Sequence, residues 1–583
     1  MSRCSSHGFV LACRLALVAV VYGATDTHAQ VAVFSERAGD AGIAVTHDRP
    51  DPTFYFYGGG ACGDFDNDGW QDLYLVMGGV EADRLFINNR NGTFTDQAAA
   101  WGVDIRHRGN GVAVSDFNND GRLDIFVTSD GGPELPEPGR HVLWRNDGGH
   151  FTDIAAQAGV QWTSVDTYDG FSAAFGDYDL DGDLDLAVAG WYTGSGGNRL
   201  FRNNGDETFT DVTATAILRD VNTMRGYSPR FLDMNGDRYP ELLWVSDFHS
   251  TAYLVNNGDG TFSDQTAAVG AGVERNGMGQ TVGDFNNDGL PDWYVSSIFA
   301  DYGPIGERQG NTLYIQQSDH TFAEIAESAG VVNGGWGWGT VAVDLNHDGW
   351  TDIVETNGWF PIEWRYEPTY VFMNDGDLHF TDSAAAVGIN HFGQGRGLLN
   401  FDYDNDGDQD LVLISFREPL CLYRNELSGA GTNWLRVVLD TTRRPDLAPN
   451  GFGAKVSVRT GDSRQTRWID GGSNYLSQSE LAAHFGLGSA TVIDELHVDW
   501  PNGRQTVLHD LAVNQSLTVF ATLSGDLDGD LDVDLADLSR ALASFDTCAG
   551  DDGFEAAADV NADGCVTLAD VLTLLTDFGI AVH

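Results

Sequence analysis

The chain has 583 residues, 42% of them hydrophobic and 11% aromatic, which excludes global disorder and leaves room for several packed domains. Its 86 Asp and Glu against 32 Lys and Arg give a formal net charge of −54, which excludes nucleic acid and anionic lipid as partners held by bulk electrostatics and favours cations. The 72 glycines against 15 prolines predict many tight turns.

Residues 1–29 read as a secretory signal: a basic start through Arg14, the apolar core LALVAVVYGA, and cleavage after Ala29. The core is too short to anchor a membrane, and no later stretch approaches about 20 apolar residues. The mature chain is therefore expected to be secreted, extracellular or at the cell surface, with no membrane span. Export permits disulfides. Cys548 and Cys565 lie close enough in sequence to pair, while Cys62 and Cys421 are either a second pair or two buried thiols.

A nine-residue unit recurs seven times from Asp64 to Asp410, at intervals of 51 to 61 residues. Positions 1, 3, 5 and 9 of each copy offer side-chain oxygens and position 7 a carbonyl. In DFDNDGWQD these are Asp64, Asp66, Asp68 and Asp72, with Trp70; in DFNNDGRLD they are Asp116, Asn118, Asp120 and Asp124, with Arg122. The third copy has Asp177, Asp179, Asp181 and Asp185, with Asp183; the fourth has Asp233, Asn235, Asp237 and Glu241, with Tyr239. The fifth has Asp284, Asn286, Asp288 and Asp292, with Leu290; the sixth has Asp344, Asn346, Asp348 and Asp352, with Trp350. The seventh has Asp402, Asp404, Asp406 and Asp410, with Asp408. Calcium takes six to eight oxygens, and no His or thiolate is offered that would select zinc or copper. The competing reading is an Asx-turn hairpin that needs no metal. The fourth copy is the weakest, because Arg238 replaces the glycine at position 6.

Each copy leads into an apolar strand such as DLYLV, then a strand of the type LFxNN, then F-T-D with a short helical tail. The seventh copy lacks the F-T-D element, and FSERAGDAG at Phe34 supplies it from the N-terminus. That offset predicts a mainly β fold, a closed seven-bladed β-propeller over residues 30–430, in which the first strand completes the last blade. A linear β-solenoid is the alternative and gives no reason for the offset. These units resemble FG-GAP or VCBS repeats, of which the integrin α-subunit propeller is the familiar example. The resemblance implies calcium loops on one face, between the first two strands of each blade, and ligand on the opposite face.

Residues 431–522 form a second unit, a small β domain whose NGFGAKVSVRTG, DGGSNYLSQSE, HFGLG and VDWPNGR resemble the ASPIC/UnbV domain. A repeat propeller followed by this domain resembles the cartilage acidic protein family, which implies secretion, calcium binding and adhesion. Ser477 and His484 read as turn and core residues rather than catalytic ones.

Residues 523–583 form a third unit with two EF-type loops, each leading into a helix. Their ligand positions are Asp526, Asp528, Asp530, Asp532, Asp534 and Asp537, then Asp559, Asn561, Asp563, Cys565, Thr567 and Asp570. The acid at position 12 and the single exit helix resemble a type I dockerin, which implies a cohesin-like partner.

By elimination, the ligand face lies at the loops entering the innermost strands. Arg108, Arg225, Arg275, Trp336, Trp338 and Arg396 fall there, either as a site for an extracellular protein or glycan or as packing for the channel. No GxSxG, HExxH, CxxC or phosphate loop is present. The sequence is thus read as a secreted calcium-binding adhesion or recognition protein docked by its tail. The alternative is an extracellular polysaccharide-active enzyme or accessory subunit.

Overall fold

The computed structural model describes residues 32–49, 56–130, 139–164, 169–299, 310–360, 364–521, 523, 525–528, 533–560 and 564–578. The segment read as a signal, residues 1–29, lies outside them. The described chain is mainly β.

Seven antiparallel sheets, each built around four strands, follow one another along residues 34–425. Their first strands are Gly60–Gly63, Gly109–Ser115, Ala173–Gly176, Arg225–Leu232, Gln280–Gly283, Gly337–Val343 and Gly395–Phe401. These strands are almost wholly buried; six of the seven successive pairs pack side by side, and across the remaining pair the Gln280 amide donates to the Ser228 carbonyl at 2.7 Å. Each sheet ends in a three-residue strand opening on Phe, such as Phe94–Asp96, whose ring packs inward while the next two residues face solvent. In the seventh sheet that strand is Phe34–Glu36, which pairs with Cys421–Asn425 through Phe34 opposite Asn425. The chain start therefore completes the sheet at the chain's far end.

The LFxNN motif links the sheets. The Asn88 side-chain amide donates to the main-chain carbonyl of Tyr403 at 2.8 Å. The same bond runs from Asn146 to Phe65, from Asn203 to Phe117 and from Asn256 to Tyr178. Gln316 to Met234, Asn374 to Phe285 and Asn425 to Leu345 complete the series. Every sheet thus grips the turn of the sheet before it, and the first grips the last.

The β unit folds as two sheets around one core that includes Leu435, Val437, Val456, Phe485, Leu496 and Val498. Its most consequential part is the stretch Ser473–Gln478, no residue of which is more than 5% exposed. This stretch enters the bore enclosed by the seven first strands. Ser477 and Gln478 pair in parallel with Gly60 and Ala61. Val112 N–H donates to the Leu476 carbonyl at 3.1 Å and Thr340 N–H to the Asn474 carbonyl at 3.0 Å. Gln478 both accepts from Val114 N–H and donates to its carbonyl. Polar side chains are tolerated inside because they take up backbone groups that no neighbouring strand reaches. Tyr475 and Leu476, with φ of 91° and 57°, form the reversal at the tip.

At the C-terminus, helices Leu535–Ala543 and Leu568–Thr576 each begin in a capping box, Asp534 with Asp537 and Thr567 with Asp570. Cys548 and Cys565 are joined by a disulfide, whereas Cys62 and Cys421 are free thiols, so the second pairing considered from sequence is not formed. Asp577 is buried and ion-paired with Arg444 and Arg504, which ties this unit to the β domain. No described helix is long and apolar enough to cross a membrane.

Candidate functional site

The seven acidic turns lie between the first and second strands of their sheets, all at one end of the bore. One local scheme builds them. The position-1 carboxylate accepts from the N–H groups that close the turn, as Asp64 does from Asp68 at 2.8 Å and Gly69 at 2.7 Å. The position-9 carboxylate accepts from position 2, as Asp72 does from Phe65 at 3.0 Å. Its second oxygen accepts the N–H of the LFxNN asparagine, Asn88 for Asp72 at 2.8 Å; five turns share this bond, and Gln316 makes it in the fifth turn. The same asparagine therefore clasps its own turn through the backbone and the preceding one through its side chain. The sequence displays the recurrent asparagine but not its partner, which lies on another sheet.

Two backbone reversals shape each turn. Position 6 has φ between 81° and 95°, at Gly69, Gly121, Gly182, Gly289, Gly349 and Gly407. In the fourth turn Arg238 is held there at φ 83°, a conformation that costs a side chain about 1–2 kcal/mol. Position 4 also has positive φ, as at Asn67, Leu180 and His347, which the sequence reading missed.

The turns fall into two groups by what stands at position 3. Where it is Asp, three carboxylates converge: Asp64, Asp66 and Asp72; Asp177, Asp179 and Asp185; Asp402, Asp404 and Asp410. Within each trio the nearest oxygens all lie within 4.8 Å of one another. Asp179 Oδ1 and Asp404 Oδ1 are buried and accept no hydrogen bond from the described residues. Burial pushes Asp72 up to about 8 and Asp177 to about 7, and holds Asp185 and Asp410 well above the usual carboxylate range. Converging oxygens with orphaned acceptors fit a hard cation. Where position 3 is Asn, its amide braces the turn instead. Asn118, Asn286 and Asn346 donate to Asp120, Asp288 and Asp348, and Asn235 donates to Glu241 at 2.8 Å.

Position-7 residues Trp70, Arg122, Asp183, Tyr239, Leu290 and Trp350 each donate their N–H to the position-5 or equivalent side chain, as does Asp408 to Asp406. In the tail, Asp526, Asp528 and Asp537 converge in the same way, although Asp537 also accepts from Leu527 and Asp534 N–H. Asp530, Asp532, Asn561 and Asp563 lie outside the described residues; Asp559 accepts from Gly564 N–H.

The β domain sits on this end of the ring. His484 Nε2 bonds the Gly407 carbonyl at 2.9 Å, His347 Nδ1 the Thr432 carbonyl at 3.0 Å, and Lys455 donates to the Gly289 carbonyl at 3.2 Å. Arg467 is partly buried beside Asp284, Asp344 and Asp352, whose charges oppose the lowering of its pKa by desolvation. A Cβ on Gly486 would lie 2.1 Å from Asp344 Oδ2, so only glycine permits this approach.

The opposite end differs from expectation. Arg108, Trp338 and Arg396 are at most 2% exposed and are not surface groups. For Trp338 and Arg396 the cause is the inserted stretch: Tyr475 packs 5.1 Å from Trp338 and 5.8 Å from Tyr227, and Arg396 lies over Trp338 at 4.5 Å. Arg225, Arg275 and Trp336 remain partly exposed. Trp191 and Trp359, which the sequence reading passed over, join them; each follows a glycine just after a second strand, in AGWY and NGWF.

Comparison with known proteins agrees with this architecture. A model described as an FG-GAP-like repeat matches residues 64–127, 116–188, 181–244, 233–295 and 299–355, and one described as ASPIC and UnbV matches residues 445–524. The chain is thus a protein of FG-GAP-like repeats joined to an ASPIC/UnbV domain. It is homologous to cartilage acidic protein 1, being 28% identical to the Xenopus tropicalis protein over 485 residues, 68% of this chain and 70% of that one. Against the Homo sapiens protein it is 28% identical over 511 residues, 81% of this chain and 73% of that one. It is also 33% identical to Mus musculus integrin alpha-7 over 153 residues, 25% of this chain and 13% of that one.

Proposed function

We propose that the chain is a secreted calcium-binding recognition protein of the adhesion type, built on a seven-bladed propeller. Residues 1–29 act as its export signal, and the bladed ring displays a ligand face opposite the calcium loops. The observation that carries this reading is the convergence of three carboxylates in the first, third and seventh turns, with a buried acceptor left over in the third and the seventh. The carboxylates at positions 1, 3 and 9 would hold calcium there, and the ion would supply positive charge that offsets their mutual repulsion. The homology to cartilage acidic protein 1 and integrin alpha-7 supports an extracellular, adhesive role.

The tail serves as the docking module. Its loop-helix unit is duplicated, and equivalent apolar residues stay exposed in both copies: Leu535 and Leu568, Leu542 and Leu575, Phe545 and Phe578. Such a face takes a cohesin-like partner.

Metal analysis of the purified chain tests the reading. The expected result is calcium at several ions per chain, up to about nine if every oxygen-rich loop fills, with a melting temperature that falls on chelation. A metal-free protein whose melting ignores chelator would refute it.

A further inference from the structure

The face opposite the acidic turns carries a row of aromatic rings, four of which pack against the core with one side while staying partly exposed. Phe248, Trp191, Phe56, Trp359, Trp336 and Trp364 follow one another with ring centroids 6.3, 6.2, 4.9, 5.2 and 5.0 Å apart. Each is partly exposed, Phe248 by 52%, whereas the rings beneath them, Trp338, Tyr227 and Tyr475, are sealed. The row rests on the tip of the inserted stretch, because Tyr475 Oη donates to the Phe56 carbonyl at 3.0 Å.

Polar groups line the row at intervals. Glu367 accepts from Trp336 N–H at 2.7 Å, and Asp247 accepts from Trp191 Nε1 at 3.0 Å and from Asn276 at 2.6 Å. The Trp336 indole N–H is buried without an acceptor among the described residues. Arg225 places its guanidinium 4.4 Å from the Trp191 ring and 5.3 Å from Phe248. It makes no ion pair among the described residues, in a chain of net charge −54. Its charge is felt by buried Asp247 without forming an ion pair, so a partly exposed guanidinium stacked on aromatics remains able to meet a ligand carboxylate.

We propose that this row is a carbohydrate-binding floor for an oligosaccharide bearing uronate, with sugar rings stacked along the aromatics and a carboxylate on Arg225. The proposal deepens the reading of a recognition protein and rests on it. Aromatic faces carry negative charge density that attracts the polarised C–H groups of a pyranose, and their spacing suits successive rings of a chain. The partly exposed Glu367 carboxylate beside Trp336 provides an acceptor for hydroxyls. A densely charged polyanion is disfavoured by the surrounding acidity; a chain with spaced carboxylates is not.

The test is tryptophan fluorescence titration of the calcium-loaded full chain. The probes are hexasaccharides of galacturonate, of hyaluronan and of glucuronate-substituted xylan, with cellohexaose and hexaglutamate as controls. At least one uronate glycan should bind. W359A, and separately F248A at an exposed position where folding is not at stake, should each weaken it by about tenfold. R225Q should weaken uronate binding by about tenfold while leaving any cellohexaose binding unchanged. No uronate glycan binding, hexaglutamate binding equally well, or indifference to F248A and W359A overturns the proposal. If melting still responds to chelator in that case, the calcium reading stands and only the carbohydrate floor falls.

Discussion

Asn88 and Tyr403, 315 residues apart, are joined by a 2.8 Å hydrogen bond from a side-chain amide to a main-chain carbonyl. That bond closes the circuit of seven, and the same amide also donates to the Gln71 carbonyl at 3.0 Å within its own sheet. Asn88 is 4% exposed, so water cannot replace it. Replacing Asn88 with Ala should cost about 2 kcal/mol, because the side chain's three bonds, to the Tyr403 and Gln71 carbonyls and from Arg90 N–H, are lost. Urea unfolding checks this, and an unchanged midpoint would show that the circuit closes without it.

The acidic turns make stability depend on pH in a sign that chelation reveals. Burial raises Asp72 to about 8, Asp177 to about 7, and Asp116 and Asp284 to about 6. A carboxylate whose folded pKa lies above its unfolded value of about 4 contributes fully below that value. The contribution is lost as pH rises through the folded pKa. In chelator, melting temperature should therefore fall between about pH 4 and 8. With calcium the proton is displaced, so the gap between loaded and chelated protein should widen over the same window. A gap independent of pH would count against metal at these carboxylates.

Arg238 occupies a left-handed position that glycine fills in the other six turns. Arg238→Gly should raise stability by about 1 kcal/mol, since relief of backbone strain exceeds the added freedom of the unfolded chain. A lower melting temperature would mean that the side chain holds the turn in another way.

Gly486 lies where any side chain would strike Asp344. Gly486→Val should destabilise by more than about 3 kcal/mol and expose the β domain to protease ahead of the ring. Cleavage that remains slow would show that the interface yields.

Much of this was legible in the sequence, and what was not has definite causes. The turns are local, so their acidic residues, their count and the strand donated by Phe34 can be read from spacing alone. Position 9 is also a backbone acceptor, and the LFxNN asparagine is its partner, but those bonds join segments distant in sequence. DGGSNYLSQSE looks like an exposed turn, because Ser, Asn and Gln usually face water. It is instead buried, its polar groups pairing with strands from several sheets. Arg108, Trp338 and Arg396 were consequently placed at an open mouth, when the mouth is filled from behind. Trp191 and Trp359 lay in loops with no repeat to mark them.

The stretch Ser473–Gln478 makes the ring a cylinder with a bung, not a tube. Along that length the axis is occupied by protein, hydrogen-bonded to first strands of different sheets. A truncation ending near residue 430 would strip the bung and leave a lining of unpaired main chain and apolar rings bare to water. The ring and the domain that follows it are therefore one cooperative body, and a fragment holding the repeats alone would be expected to clump rather than to fold.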